Sequence, residues 1–242
     1  MKKLLIAMVA MLSLVGCKTV EPQANAENTA APAEAANADK AKPTNEAKPA
    51  DNNANDDVTA KLLDPSALNE TAPVEFIVKV KTTKGEMRIK LDRSLAPKGV
   101  DRFYNLVKNG YFTDIGLFRM VKGFVIQFGI HGKPLLNNVW REANIQDDIV
   151  SGENTRGTLT FATSGPNSRT TQLFINLGDN TNLDLMGFAP IGKVIDGIEL
   201  LDKLNFEYGE RPNQMLIQTQ GNAYLREKFP NLDYIISMEI EG

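Results

Sequence analysis

Two polar side chains, Arg119 and Gln127, stand within an apolar stretch of the sequence. β-branched and aromatic residues flank them, and a turn at Lys122-Gly123-Phe124 separates them. If these three residues form the loop of a β-hairpin, Arg119 lies directly opposite Gln127 and both project from one face of the sheet. A fixed guanidinium is a hydrogen-bond donor, so its chemistry would be electrostatic stabilisation of a reacting group. The alternative is an exposed outer face where the pair is merely solvated, because charged residues are mostly exposed.

A second stretch, residues 157–175, reads as strand, polar loop, strand, and it favours the chemical interpretation. It fits the pattern G-x-L-x-x-A-x-x-G-P-x-S-x-x-x-Q-x-F-I from Gly157 to Ile175. Around the hairpin, the pattern F-x-R-x-x-x-G-F-x-x-Q-x-G fits from one residue before Phe118. In this order and spacing, the two patterns resemble the signature segments of the cyclophilin family of peptidyl-prolyl isomerases. The resemblance runs from about Val74 to the end of the chain.

The resemblance implies roles for individual residues. Arg119 matches the family's catalytic Arg, and Gln127 matches the Gln that orients it. Ala162 and Thr163 match the strand that grips the substrate backbone. The residues that match the wall of the proline pocket are Phe124, Val125, Phe174, Leu183 and, in place of a His, Phe188.

Three positions depart from the family pattern. Val125 replaces the usual Met and stays apolar, whereas Phe188 aligns with the pocket His and cannot donate a hydrogen bond. Asn182 stands where many cyclophilins have the Trp that binds cyclosporin. The loss of an indole removes a large apolar contact and an N–H donor, so we expect weak binding of the drug.

The reaction that the resemblance implies needs neither a metal nor a cofactor. Rotation about an X–Pro bond faces a resonance barrier of about 18–20 kcal/mol. An apolar pocket can hold the proline ring, and a fixed guanidinium can favour the twisted amide, whose nitrogen is more basic, over the planar one. A single Cys and a single His exclude an internal disulfide framework and a His-cluster metal site.

Other polar residues are predicted to be structural. His131, outside both signatures, looks like part of a surface turn that ends at Pro134, and we do not expect it to be catalytic. Asp147 and Asp148 lie in a segment that resembles the family's acidic crossing segment, and are expected to brace a loop. As a glycosidase pair they would be poorly placed, because neighbours on an extended chain point to opposite faces.

The first residues resemble a bacterial lipoprotein signal. A basic start is followed by an apolar run that is too short to span a bilayer permanently, and the run ends at Gly16-Cys17. Residues 1–16 are therefore predicted to be a signal peptide, with Cys17 acylated and anchoring the chain to the membrane. The alternative is an ordinary signal peptide with an incidental Cys. Lys18 stands where an inner-membrane retention signal has Asp, which favours the outer membrane.

Residues 17–72 are predicted to be the acylated Cys and a disordered tether, and residues 73–242 the isomerase domain. After the signal peptide, Ala, Asn, Pro, Glu, Lys and Asp dominate as far as about residue 72, and aromatic residues are absent. Such a composition buries too little apolar surface to offset the entropy of ordering.

The predicted fold is mainly β: a cyclophilin-like barrel of eight antiparallel strands capped by two helices. Residues 75–82 and 85–91 read as a hairpin. Residues 96–110 read as an amphipathic helix, with Pro97 in its first turn and Gly110 at its C-terminal cap, and residues 196–204 as a second short helix. Residues 205–233 are longer than in small cyclophilins, and their role stays open.

The predicted function is prolyl isomerisation in exposed segments of envelope proteins, by a monomer that faces the periplasm. A net charge of −3 argues against nucleic acid as the main partner. One alternative is a proline-peptide-binding module or holdase that uses the same groove without turnover. Another is a structural lipoprotein whose barrel only docks to a partner.

Overall fold

The computed structural model describes residues 59–242. The predictions for the signal peptide, for Cys17 and for most of the tether lie outside these residues. Within them, no helix is both long and apolar enough to cross a membrane.

The described residues form one antiparallel sheet of nine strands. The order across the sheet is β3-β9-β1-β2-β8-β6-β7-β5-β4. The strands are β1 (Glu75–Thr82), β2 (Gly85–Asp92), β3 (Ile115–Gly116), β4 (Arg119–Val121), β5 (Val125–Phe128), β6 (Thr158–Phe161), β7 (Leu173–Asn176), β8 (Pro190–Asp196) and β9 (Tyr234–Ile240).

The sheet is curled, and the chain path shows why. Strands β3 and β4 lie at opposite ends of the strand order, yet only Leu117 and Phe118 separate them in the chain. The two edges are therefore drawn together into a half-barrel. The mainly β antiparallel fold predicted from the sequence is confirmed. The described part has nine strands instead of the predicted eight, and one of them is the two-residue strand β3.

The predicted first hairpin is confirmed, and its burial alternates as expected. Strand β1 pairs with β2 from Glu75–Asp92 to Thr82–Gly85. Phe76, Val78 and Val80 are buried. Because successive side chains point to opposite faces of a strand, these three line the inner face of the sheet.

The helices differ more from the prediction. Helix α1 (Pro97–Lys108) forms as predicted and buries Val100, Phe103, Leu106 and Val107. The second predicted helix is a short 3₁₀ helix, Ile198–Asp202. Three further helices follow α1 in the chain: α2 (Pro134–Trp140), α3 (Gln214–Gln220) and α4 (Asn222–Lys228).

The prediction of a disordered tether up to residue 72 is wrong at its C-terminal end. Residues 59–62 are helical, and a 3₁₀ helix (Pro65–Ala67) follows. Leu62 is 2% exposed, and its carbonyl accepts a 2.7 Å hydrogen bond from Trp140 Nε1. Further along, Ala72 is also buried, and the backbone of Glu70 and Ala72 is hydrogen-bonded to the side chains of Asn105 and Asp101. These specific contacts fix the segment, and an average over its Ala- and Asn-rich composition does not reveal them.

The predicted surface turn at His131 is also wrong. His131 is 6% exposed, and its ring packs edge-on against Tyr111 at 5.0 Å. Its Nδ1 accepts the backbone N–H of Lys133 at 2.9 Å. Pro134 starts helix α2 instead of ending a turn, as its fixed φ permits. Burial lowers the pKa of His131 to about 4, so the imidazole is neutral.

Candidate active site

The hairpin formed by β4 and β5 places Arg119 and Gln127 side by side. The register pairs Arg119 with Gln127, Met120 with Ile126 and Val121 with Val125, which confirms the predicted pairing. Gly123 has φ +72°, a left-handed conformation that favours glycine, and the Phe124 N–H donates to Val121 O at 3.0 Å to close the turn.

The Arg119 guanidinium is partly enclosed and held at two of its nitrogen atoms. Nε donates to Glu210 Oε1 at 2.7 Å, and Nη1 donates to Gln127 Oε1 at 3.4 Å. Cζ lies 5.8 Å from the centre of the Phe124 ring. The side chain is 29% exposed, so the guanidinium is fixed but reachable.

Gln172 extends this chain of hydrogen bonds. Gln127 Nε2 donates to Gln172 Oε1 at 2.9 Å. Gln172 immediately precedes β7, and its carbonyl accepts the N–H of Ala162 at 2.9 Å. The sequence analysis quoted Gln172 only as a motif letter and gave it no role. The signal available was the resemblance itself, because Gln172 occupies a fixed position of the second signature.

An apolar cluster separate from the main core adjoins the hairpin. Its buried members are Val125, Phe174 and Leu183, and Phe124, Ala162 and Phe188 pack against them partly buried. The Phe174 and Phe188 rings meet edge to face, 5.8 Å apart. Six of the seven residues predicted to bind substrate are thus brought together.

Thr163 is the seventh, and the structure places it outside the apolar cluster. It follows Ala162 in the chain, at the start of the loop between β6 and β7. Its hydroxyl contacts Gly165 O and lies 2.7 Å from Ser168 Oγ. Thr163 shapes this loop in the structure, and its predicted contact with substrate stays a prediction.

The side-chain amides of two buried asparagines fix the loop that carries Leu183 and Phe188. Asn154 Nδ2 donates to Asp184 Oδ1 at 2.7 Å and to Phe188 O at 2.8 Å, which fixes the loop from Leu183 to Phe188. Asn180 Nδ2 donates to Phe124 O at 2.9 Å and so ties this loop to the hairpin. These asparagines were missed by the sequence analysis, because nothing in their local sequence distinguishes them from surface amides.

Comparisons with known proteins decide the family. The model of the cyclophilin-type peptidyl-prolyl cis-trans isomerase/CLD family matches residues 77–221, which is more than half of the chain. The chain belongs to this family. The peptidyl-prolyl cis-trans isomerase of Acinetobacter baylyi is 36% identical over 151 residues, which are 60% of this chain and 80% of that protein.

Other relatives agree. Peptidyl-prolyl cis-trans isomerase B of Escherichia coli is 32% identical over 132 residues, 51% of this chain and 80% of that protein. The crystal structure of a cyclophilin-type isomerase from Cryptosporidium parvum has a TM-score of 0.54 and 24% identity, and the alignment covers 69% of this chain and 98% of that one. The predicted enzyme class is confirmed: this cyclophilin is a peptidyl-prolyl cis-trans isomerase.

The acidic pair of this cyclophilin braces the loop that precedes β7, as predicted. Asp148 accepts the N–H groups of Lys98 at 3.0 Å and Gly99 at 2.8 Å, and it pairs with buried Arg169 at 3.1 Å. Asp147 Oδ2 accepts the N–H of Asn167 at 2.7 Å. The two carboxylates therefore join the start of α1 to the loop between β6 and β7.

Asn182, which was predicted to occupy the position of the family's drug-binding Trp, is open to solvent. Asn182 is exposed in the 3₁₀ helix Thr181–Met186. The next residue, Leu183, is 7% exposed in the apolar cluster. Residue 182 is thus next in the chain to the apolar cluster but is not one of its buried members.

Proposed function

We propose that this cyclophilin accelerates X–Pro isomerisation by presenting the Arg119 guanidinium to a proline held on the apolar cluster. The observation that carries the proposal is the position of Arg119. Its Cζ lies 5.8 Å from the ring of Phe124, which itself packs against Val125, Phe174 and Leu183. A charged donor therefore lies beside an apolar cluster to which its own hairpin contributes Phe124 and Val125.

The physical step is a rotation, and no bond is made or broken. The uncatalysed rotation takes tens to hundreds of seconds, since amide resonance must be lost on the way. In the twisted state the nitrogen is pyramidal and accepts a hydrogen bond that the planar amide accepts poorly. A guanidinium held in advance stabilises the twisted state selectively and lowers the barrier.

The surrounding residues bind the proline ring, align the substrate backbone and orient the guanidinium. Val125, Phe174, Leu183 and the edge of Phe188 hold the proline ring by apolar contact. The strand end at Ala162 and Thr163 is proposed to align the substrate backbone, because backbone groups at a strand end can pair with an extended peptide. Gln127 orients the guanidinium through the contact at Nη1.

We further propose that the enzyme is a monomeric lipoprotein of the bacterial envelope. The apolar run that ends at Gly16-Cys17 supports acylation of Cys17, and the polar composition that follows supports a tether. The anchored enzyme would then act on exposed X–Pro segments of periplasmic and envelope proteins.

The anchor is tested by Cys17→Ser in the full chain. This variant should leave the membrane fraction, and Lys18→Asp should move the protein from the outer to the inner membrane. If Cys17→Ser still sediments with membranes after a salt wash, the anchor is wrong.

The second candidate function is a peptide-binding module that uses the groove without turnover. The guanidinium beside Gln127 favours the enzyme, because apolar binding alone needs no oriented donor. NMR exchange between the cis and trans forms of a proline peptide distinguishes the two. Exchange accelerated by the chain supports isomerisation, whereas binding without acceleration supports the module.

A further inference from the structure

Arg119 has a partner that its own hairpin does not provide. Glu210 accepts the Nε hydrogen of Arg119 at 2.7 Å, shorter than the 3.4 Å contact from Gln127. Glu210 belongs to residues 205–233, the segment whose role the sequence left open. Within residues 59–242, Nη2 of Arg119 has no protein hydrogen-bond partner.

The chain on either side of Glu210 is fixed to the edge of the sheet. Strand β4 ends the strand order, and the N–H of Met120 donates to Gly209 O at 3.0 Å. Tyr208 is buried, and its ring packs edge-on against Phe229 at 5.1 Å. The hydroxyl of Tyr208 accepts the N–H of Asn231 at 3.2 Å. Glu210 is therefore carried on an anchored segment and not on a free loop.

Gly209 allows the change of direction that brings Glu210 to Arg119. Its φ of +56° and ψ of −113° lie in a region that glycine adopts and other residues avoid. The neighbouring cation does not compete for the carboxylate, because Arg211 donates from Nη2 to Glu207 O at 2.8 Å and from Nε to Tyr208 O at 3.3 Å.

We infer that Glu210 is a positioning residue, which holds Nε of Arg119 so that the Nη atoms face the proline pocket. A guanidinium group is planar, so fixing Nε restricts the directions in which the two Nη atoms can donate. Among the described residues, the carboxylate of Glu210 is hydrogen-bonded and ion-paired to Arg119 alone, so it acts through the guanidinium. This inference rests on the proposed function, because it needs Arg119 to be the catalytic donor.

The test compares Glu210→Ala and Glu210→Gln with a matched control, Glu207→Ala, in the full chain. Glu207 is an exposed carboxylate on the same segment that makes no side-chain contact with Arg119. For a partly exposed pair of this kind, Glu210→Ala should lower kcat/KM about fivefold. Glu210→Gln should recover most of the loss, because its amide oxygen can accept the same Nε hydrogen. Glu207→Ala should match the unmodified chain.

Two readouts separate positioning from a merely structural role. The affinity for a proline peptide, measured by NMR titration, should stay unchanged in Glu210→Ala, since the twisted amide is affected and the planar one is not. The Nε–H resonance of Arg119 should show faster solvent exchange in Glu210→Ala than in Glu210→Gln. In the Arg119→Ala background, adding Glu210→Ala should have no further effect.

The outcomes are distinct. Wild-type rates in Glu210→Ala, with activity lost in Arg119→Ala, overturn the positioning role and leave the proposed function standing. A faster Glu210→Ala variant also overturns it, because the carboxylate would then restrain the guanidinium unproductively. An unmodified chain without isomerase activity refutes the proposed function itself.

Discussion

Gln127 Nε2 donates to Gln172 Oε1 at 2.9 Å, and this contact determines which end of the Gln127 amide faces Arg119. With its NH₂ group engaged, Gln127 presents Oε1 to the guanidinium at 3.4 Å. The opposite orientation would point donors at a cation that has no acceptor. The Arg119 guanidinium is thus oriented in part by a residue that does not touch it.

We predict that Gln172→Leu lowers kcat/KM by about fivefold, the scale of one ordinary hydrogen bond. Without the acceptor on Gln172, the Gln127 amide is free to turn and Arg119 loses a fixed partner. Cis–trans exchange of a proline peptide measures the effect. Gln220→Leu, an exposed position at the end of α3, is the matched control. Equal rates in the two variants would contradict this orientation mechanism.

The N-terminal segment should stabilise the domain. Leu62 is 2% exposed whereas its neighbour Leu63 is 38% exposed, so the two give a matched pair. Leu62→Ala should lower the free energy of unfolding by about 2–5 kcal/mol, as for other buried leucines. Leu63→Ala should change it little. Equal denaturation midpoints would show that burial of Leu62 does not stabilise the domain.

Stability should also depend on pH through His131. Its pKa is about 4 in the folded chain, lowered by burial and then by Lys133, against an ordinary value of 6.5. Between pH 6.5 and pH 4, His131 binds a proton in the unfolded chain but stays neutral in the folded chain. The free energy of unfolding is therefore unaffected above that pH and falls by up to about 3 kcal/mol as the pH drops towards 4.

The His131→Asn variant isolates this effect from the titration of carboxylates. Its side-chain oxygen can replace Nδ1 as the acceptor for the Lys133 N–H. Urea denaturation of both chains between pH 7 and pH 4 gives the comparison. The unmodified chain should lose more stability than the variant on acidification. Parallel profiles would show that His131 does not carry the predicted dependence.

Cyclosporin should inhibit this cyclophilin weakly, and Asn182→Trp should strengthen the inhibition. Residue 182 is exposed beside Leu183 of the apolar cluster, where an indole could add an apolar contact and an N–H donor. Inhibition of peptide exchange at increasing drug concentration measures it. Tight inhibition of the unmodified chain would show that residue 182 does not correspond to the family's Trp.

Turn signals and strand periodicity in the sequence predicted the part of the site that lies on a single hairpin. The pairing of Arg119 with Gln127 follows from a short turn and the two-residue period of a strand, and it is found as expected. Glu210 could not be found this way, because it contacts Arg119 across 91 positions of sequence. Glu210 reaches Arg119 because Gly209 adopts an unusual backbone conformation, which neither the hydrophobic periodicity nor the composition of the sequence predicts.

The errors in the fold have the same origin. Leu62 and Trp140 meet across 78 positions, and only the folded chain shows that Leu62 is a core residue. His131 lies next to Gly132 and shortly before Pro134, which is a pattern typical of a surface turn. In the structure its ring is buried and packs against Tyr111. Long-range packing outweighed the local turn signals at both places.

The most direct test of the account is cis–trans exchange of a proline peptide by NMR with the unmodified chain and with Arg119→Ala. Loss of one preorganised donor should lower catalytic efficiency about a hundredfold or more. Peptide affinity should change much less, and Arg119→Lys should also be impaired, because an ammonium lacks the planar fork. An Arg119→Ala variant that is folded, binds the peptide and exchanges it as fast as the unmodified chain would contradict the account.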